Sequence, residues 1–489
     1  MKNKRPNIVI FNPDEYRGDV LSHIGNPAAV TPNLDNMVKH DGVSFSNAFC
    51  QNPVCTPSRC SFMSGWYPHV RGHRTMYNMM GLDEPVLLKR LKDNGYFVWW
   101  GGKNDLIPGD ASVEPYCDIR YRLKKPIRSD LHRLKDWRGD PEGDNYYSFY
   151  AGKLNTDGED RYYDSDWANI EGAIDFIHNA PAGKPFCINL ALSYPHPPYA
   201  VEEPWYSMID REKLPLRIPT PEGWIGKPSM LKGIHERQNL KNWTEEQWTD
   251  LRATYYGMCA RIDYQLGLVI DALKKTGQYD NTAIFFFSDH GDFAGDYGLV
   301  EKNQNSFEDV LTRVPFVIKP PKWIEVVPGV RDTLVELVDF VATVEELIGM
   351  EPDYTHFGKS LIPVIIGEIN DHRDAVFCEG GRMHGERHCM EFESSSSQNP
   401  EGLYWPRVNL QSSEGPEHTK AIMCRTKDYK YVKRFYEKDE LYDLKNDPQE
   451  LHNIIYDPRM KEILFSLKER LLDFYMSTCD VVPHKTDRR

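Results

Sequence analysis

Short apolar runs alternate with amphipathic helical patterns along most of this chain, and no other feature restricts its fold as much. Asn7-Ile8-Val9-Ile10-Phe11, Tyr96–Trp100, Phe186–Leu192 and Thr282–Phe287 are strand-like. Between them lie helical patterns. Thr31 caps a helix that has Pro32 in its first turn and Leu34, Met37 and Val38 on one face. A second covers about 84–94, with Leu87, Leu88 and Leu91 inward and Gly95 as its stop. A third runs over Trp167–His178. The longest, Glu245–Lys275, opens on Thr244-Glu245-Glu246-Gln247, a capping box. The alternation predicts an α/β fold with a large, mainly parallel central sheet covered by helices on both faces. Ligand sites in such sheets gather at the C-terminal ends of the strands. Asp14, after the first strand, and Asp289-His290, after Phe287-Ser288, occupy positions of that kind.

Two stretches fall outside the alternation. Residues 107–165 are charged and rich in tyrosine, and residues 379–416 carry Gly, Ser and His with little helical signal. Loops of that length are functional or disordered, and a substrate-facing rim is the functional expectation. From Ile366 onward the texture changes again. Residues 425–432 and 440–444 read as strands joined by a charged turn. Asp447-Pro448-Gln449-Glu450 is expected to start a terminal helix ending near Tyr475. The expected division is a catalytic domain over residues 1–365 and a C-terminal subdomain over 366–489, with a small antiparallel sheet and that helix.

A chain of 489 residues buries a large core. A net charge of −14 argues against non-specific nucleic-acid binding, which needs a basic surface. It leaves room for a small anionic substrate, because a local set of Arg, Lys and metal can oppose the global field. The first apolar run is too short for a signal-peptide core, and no segment reaches the ~18 apolar residues of a membrane span. No membrane association and a cytoplasmic location are therefore expected. The ten cysteines lack the dense spacing of a disulfide framework, in keeping with that. Cys50, Cys55 and Cys60 recur too loosely for a zinc site.

Carboxylates and one imidazole at two strand ends suit a divalent cation such as Ca²⁺, Mg²⁺ or Mn²⁺. The run Cys55-Thr56-Pro57-Ser58-Arg59 fits Cys-x-Pro-x-Arg, with Asn47-Ala48-Phe49 before it and Phe62-Met63-Ser64-Gly65 after. With Ser288-Asp289-His290-Gly291-Asp292 and Gly101-Gly102-Lys103 in the same order, the chain resembles the type I, formylglycine-dependent sulfatases of the alkaline-phosphatase-like superfamily. The Leu441-Tyr442-Asp443-Leu444 run resembles that family's small C-terminal subdomain.

The resemblance implies an alkaline-phosphatase-like sandwich and a hydrolase of sulfate esters, on a sulfated sugar or another small organic sulfate. It implies a maturation enzyme that oxidises Cys55 to formylglycine. An aldehyde hydrate has two hydroxyls: one attacks sulfur, and the other lets the adduct collapse and expel sulfate. The implied metal ligands are Asp14, Glu15, Cys55, Asp289 and His290, holding Ca²⁺, with Mn²⁺ or Mg²⁺ as alternatives. Arg59, Lys103 and Lys302 would stabilise charge on the sulfuryl group, and His196 would protonate the departing oxygen. Asn78 is a candidate substrate contact. At position 105 the family's Gly-Lys-x-His pattern is broken, because the residue is Asp105. That carboxylate would pair with Lys103, act as a base toward the hydrate, or face solvent. Asp105, Asn78 and the His290-to-Lys302 spacing also resemble phosphonate monoester hydrolases, so a phosphonate monoester or phosphodiester hydrolase is the alternative. A non-catalytic sulfoglycan-binding protein is a third reading, should Cys55 stay unmodified.

Overall fold

The computed structural model describes residues 5–128, 131, 136–391, 399–484 and 486. Its centre is a nine-stranded sheet. The strand order is Gly329–Glu336, Val43–Phe49, Phe316–Lys319, Thr282–Phe287, Asn7–Asp14, Phe186–Pro195, Phe97–Gly102 and Ile119–Arg120, with Arg313–Val314 paired beside Val43–Phe49. Phe316–Lys319 runs antiparallel to both its neighbours, and Arg313–Val314 antiparallel to Val43–Phe49. The remaining pairings are parallel.

Both faces of the sheet are buried, which is why its central strands read as continuous apolar runs. Ile8, Ile10, Ala283, Phe285 and Phe287 face one core layer, with Phe62 and Met63 of helix Cys55–Ser64 and Phe340 and Val344 of helix Asp339–Ile348. Val9, Phe11, Ile284 and Phe286 face the other, under helices Pro32–His40, Ser165–His178 and Glu245–Lys275. The 31-residue helix has the expected bounds and both hydrogen bonds of its capping box. Several strands run past their expected ends. Asn7–Asp14 and Phe186–Pro195 continue into polar or proline residues because neighbouring strands still pair with them there.

A second, four-stranded antiparallel sheet comprises Val376–Gly380, Ala421–Arg425, Tyr429–Arg434 and Glu440–Asp443. Helix Lys461–Thr478 lays Leu467, Leu471 and Phe474 on Phe377, Ile422 and Tyr431. Two expectations need correction here. Residues 425–432 are not one strand: Thr426 and Tyr429 close a tight turn, so the segment is a hairpin whose first strand precedes it. The terminal helix does not start at Asp447. That carboxylate accepts from the backbone N–H groups of Leu451 and His452, an Asx-type turn that competes with helix.

The two long stretches meet. Phe149 packs against Tyr404 with ring centres 5.4 Å apart, and Tyr147 stacks on Trp405 at 6.0 Å. Part of each, including residues 132–135 and 392–398, lies outside the described residues.

Candidate active site

Four strands that are neighbours in the sheet bring their C-terminal ends to one place. In sheet order they are Thr282–Phe287, Asn7–Asp14, Phe186–Pro195 and Phe97–Gly102. At or just past those ends stand Asp289 and His290, Asp14 and Glu15, His196, and Lys103. Helix Cys55–Ser64 adds Cys55 in its first turn and Arg59 one turn later, both buried. Its start places the positive end of a helix dipole beside the cluster, a setting that favours anions. Ser58 locks the helix in place by donating its hydroxyl to the Asp289 carbonyl at 2.6 Å. Two glycines permit the close approach. At Gly102, with φ of +87°, a Cβ would lie 1.8 Å from the Ala191 carbonyl oxygen. Without one, the Lys103 N–H donates to that oxygen at 2.7 Å. At Gly291 a Cβ would meet the Val310 carbonyl oxygen at 2.0 Å.

Asp14, Cys55, Asp289 and His290 each offer a ligand atom, and the four atoms lie within 4.8 Å of one another. Cys55 Sγ is 3.2 Å from His290 Nε2 and 3.5 Å from Asp14 Oδ1. His290 Nδ1 faces the Gly291 carbonyl at 2.9 Å, so it carries the ring proton and leaves the Nε2 lone pair toward the cluster. Burial holds the His290 pKa down and keeps the ring neutral, as a metal ligand must be. Burial opposes ionisation of Asp14, but Lys103 and Arg59, then His196 and His290, outweigh it and hold the carboxyl well below its usual range. Asp289 Oδ2 is buried and faces Arg59 at 2.8 Å. Two carboxylates and a neutral imidazole, all buried with their ligand atoms this close together, fit a divalent cation.

Glu15 does not join that quartet. Its backbone has a φ of +69°, and its carboxylate belongs to a second group able to hold a cation, with Asp14 and His196, whose ligand atoms also lie within 4.8 Å of one another. There Oε2 is 2.7 Å from Lys302 Nζ and 3.5 Å from His196 Nε2. Burial raises the Glu15 pKa well above the ordinary value; Lys302 opposes this, while Asp292, Glu301 and Asp14 add to it.

The cations are arranged around these acids. Arg59 reaches Asp14 at 2.9 Å and Asp289 at 2.8 Å. Lys103 Nζ is 2.6 Å from Asp14 Oδ2 and 3.4 Å from Asp105. Lys302 Nζ contacts Glu15, Glu301 at 2.9 Å and His196 Nε2 at 3.0 Å. His196 Nδ1 lies 2.6 Å from the Pro197 carbonyl and so holds a proton, leaving Nε2 to accept from Lys302. The Cys55 thiol is pushed well up, first by burial and then by Asp14, against Lys302 and Lys103.

Of the residues singled out from sequence, Asp14, Glu15, Cys55, Arg59, Lys103, His196, Asp289, His290 and Lys302 come together. Asp105 sits at the edge, paired with Lys103. Asn78 is not drawn in: its side-chain oxygen accepts from Thr75, and its carbonyl meets His73. Sequence reasoning missed the supporting residues. Ser288 accepts from the Tyr16 N–H and donates to the Pro13 carbonyl, tying the two ligand-bearing strand ends together. Tyr255 donates to the Glu15 carbonyl at 2.8 Å, and Tyr199 donates to Asp292 at 2.6 Å. Glu301 links Lys302 to Arg407, which lies 3.3 Å away on the second long stretch. The position of Glu301 directly before Lys302 was the one available signal.

Residues 6–350 match the sulfatase family, and residues 382–477 match the C-terminal region of N-sulphoglucosamine sulphohydrolase. The chain is 26% identical over 525 residues to the multifunctional alkaline phosphatase superfamily protein PehA of Trinickia caryophylli, covering 97% of this chain and 96% of that one. It is 27% identical over 482 residues to arylsulfatase K of Xenopus laevis, covering 92% and 79%. Among solved structures, the phosphonate monoester hydrolase of Agrobacterium radiobacter superposes with a TM-score of 0.73 at 22% identity, over 99% of this chain and 100% of that one. A structure described as bound to its substrate, D-glucosamine-2-N,6-O-disulfate, superposes with a TM-score of 0.71 at 20% identity, over 97% and 98%. At that identity the two superpositions speak for the fold, which is the alkaline-phosphatase-like sandwich. The family match spans every residue of the cluster, and the chain belongs to the sulfatase family.

Proposed function

We propose that this chain hydrolyses sulfate esters through a formylglycine made from Cys55 by a maturation enzyme. The observation that carries this reading is the seating of Cys55 and Arg59, on one buried helix turn, against Asp14, Asp289 and His290. A thiol held protonated is a poor nucleophile, which supports a role for Cys55 after oxidation rather than as a thiolate. Asp14, Asp289 and His290, with the oxidised side chain of residue 55, would hold one divalent cation, Ca²⁺ before Mn²⁺ or Mg²⁺, whose chemistry there is to acidify a bound hydroxyl.

Arg59 would orient residue 55 and share the negative charge of the ester. Lys103 and Lys302 flank the same point with fixed cations, which act on charge as it develops. The acid that protonates the leaving oxygen is then the Lys302–His196 pair rather than His196 alone, because Lys302 already donates to His196 Nε2. Asp105 would keep Lys103 charged. A sulfated sugar is the substrate we favour: a fold neighbour binds a glucosamine disulfate, and Tyr147, Phe149, Tyr404 and Trp405 gather where the two long stretches meet. We also place the division between catalytic part and C-terminal subdomain at residues 365 and 366. Among the described residues no helix is long and apolar enough to cross a membrane. A cytoplasmic setting is our reading, supported by ten cysteines without a disulfide.

Phosphonate monoester or phosphodiester hydrolysis is the second reading, favoured by Asp105 in place of the family histidine. One purified sample assayed on an aryl sulfate, an aryl phosphonate monoester and a phosphodiester separates the two. The highest kcat/KM is expected on the sulfate, and a higher value on the phosphonate would reverse the order. Peptide mass spectrometry should show an aldehyde or its hydrate at residue 55. Full activity from a sample with only thiol there would refute the nucleophile.

A further inference from the structure

Behind the Asp14–Glu15 turn lies a separate cavity of about 270 Å³, lined by four arginines, Arg17, Arg252, Arg313 and Arg425. Two of them are accounted for by carboxylates. Arg17 pairs with Asp19 at 2.7 Å and with Asp296 at 2.8 Å. Arg425 forms a two-pronged contact with Asp309, with nitrogen–oxygen distances of 3.1 and 3.0 Å. The other two are not. Among the described residues neither Arg252 nor Arg313 has a carboxylate within ion-pair distance, and the Nε of each is buried without a hydrogen-bond partner. Arg252 spends one terminal nitrogen on the Pro215 carbonyl at 2.6 Å and is 6% exposed.

The acids at the wall do not neutralise this set. Asp19, Asp296, Asp309 and Glu450 face the cavity, and Lys430 stands behind Asp309 and Glu450 at 2.7 and 2.5 Å. Counting the four arginines and Lys430, the surroundings carry an excess of one positive charge when all four acids are ionised. Burial raises the Glu450 carboxyl to about 7, so near neutral pH the excess is larger. Among the described residues the terminal nitrogens of Arg313 make no hydrogen bond, and guanidinium N–H groups that line a cavity without a protein acceptor favour an anion there. A carboxylate-bearing peptide would bring its own bulk, whereas a compact tetrahedral anion offers four acceptor oxygens within a space of this size.

We propose that the cavity lined by Arg252 and Arg313 binds a tetrahedral oxyanion, inorganic sulfate or inorganic phosphate, independently of the catalytic cluster. The test is calorimetric titration of the full-length, metal-loaded enzyme with sodium sulfate, with phosphate in parallel and sodium chloride at matched ionic strength as control. Two sulfates per chain are expected, one in each site. Arg313→Met and Arg252→Met should each weaken the second site at least about tenfold, the cost of losing a hydrogen bond to a charged group. Aryl sulfate turnover should stay unchanged in both. Tighter binding of phosphate than sulfate at that site would name phosphate as the occupant, and the reverse would name sulfate. One sulfate per chain in the wild type, two sites retained in both variants, or an equal heat from chloride would overturn the proposal. If either variant fails to fold, crystals soaked in selenate give an independent reading. An anomalous peak at Arg252 and Arg313 supports the site, and an empty cavity at a concentration that fills the catalytic cluster refutes it.

Discussion

Replacing Lys302 with methionine removes the one cation that Glu15, Glu301 and His196 share. Lys302 and both glutamates are almost wholly buried. Breaking a buried ion pair by deleting one partner costs about 3–5 kcal/mol. The lower end applies here, about 3 kcal/mol, because Glu301 keeps Arg407 at 3.3 Å. Among the described residues Glu15 has no second lysine or arginine, only His196 at 3.5 Å, so its response sets the pH dependence. Its pKa is already raised by burial with Lys302 opposing, and removing Lys302 raises it further. A carboxyl with a raised folded-state pKa gives the native state the greater proton uptake, so stability is retained at low pH and lost as pH rises through the folded value. In the variant that loss is steeper. Equilibrium urea denaturation of chelator-treated protein should therefore show a deficit of about 3 kcal/mol near pH 8, shrinking to roughly half or less near pH 5. In the metal-loaded enzyme, kcat on an aryl sulfate should fall about 10²–10³-fold, as for loss of one transition-state donor. Lys302→Arg should restore stability better than activity, since a planar fork cannot place one nitrogen among three acceptors. A deficit that is flat with pH, or below about 1 kcal/mol at high pH, would refute the shared-cation argument.

Asp289→Ala should lose both the bound cation and turnover, read by elemental analysis beside an aryl sulfate assay; unchanged metal content would remove Asp289 from the ligand set. His196→Gln should spare activated aryl esters and slow alkyl or sugar sulfates by about 10²–10⁴, the range of general-acid catalysis. Equal losses on both would make His196 a binding residue. Asp105→Asn should change kcat by no more than about fivefold, because its contact with Lys103 is partly exposed and longer than the one Lys103 makes with Asp14; accumulation of a covalently sulfated enzyme in this variant would instead make Asp105 the base.

The parallel core was readable because buried strands such as Thr282–Phe287 are apolar on both faces, and a long helix with a capping box announces its own bounds. Asp14, Cys55, Lys103, Asp289 and Lys302 were readable because they stand in motifs at strand ends. The errors lie where local chemistry competes with pattern. Asp447-Pro448 looks like a helix start, yet its carboxylate is taken by a turn. Residues 425–432 are uniformly strand-like, yet Thr426 and Tyr429 fold them into a hairpin. Glu15 is a different case: a left-handed backbone sets its carboxylate beside Lys302, in a second candidate group with Asp14 and His196 rather than in the quartet with Cys55. Tyr199 and Arg407 were invisible for another reason: each matters through a partner about a hundred residues away, Asp292 and Glu301, and composition carries no trace of such pairings.

The segment that carries Lys302 is held from the far end of the chain. Arg407 grips Glu301, Arg434 donates to the Asn305 carbonyl, and Lys430 donates to the Phe307 carbonyl and pairs with Asp309. During synthesis, every residue of the catalytic cluster has been made by Lys302, well before these anchors exist. A nascent chain that has not yet reached Arg425 therefore holds the full chemical inventory while Asp309 lacks both Arg425 and Lys430. A chain stopped before the second sheet is expected to carry every residue of the cluster without the contacts that position Lys302, and to lose turnover rather than substrate-binding chemistry alone.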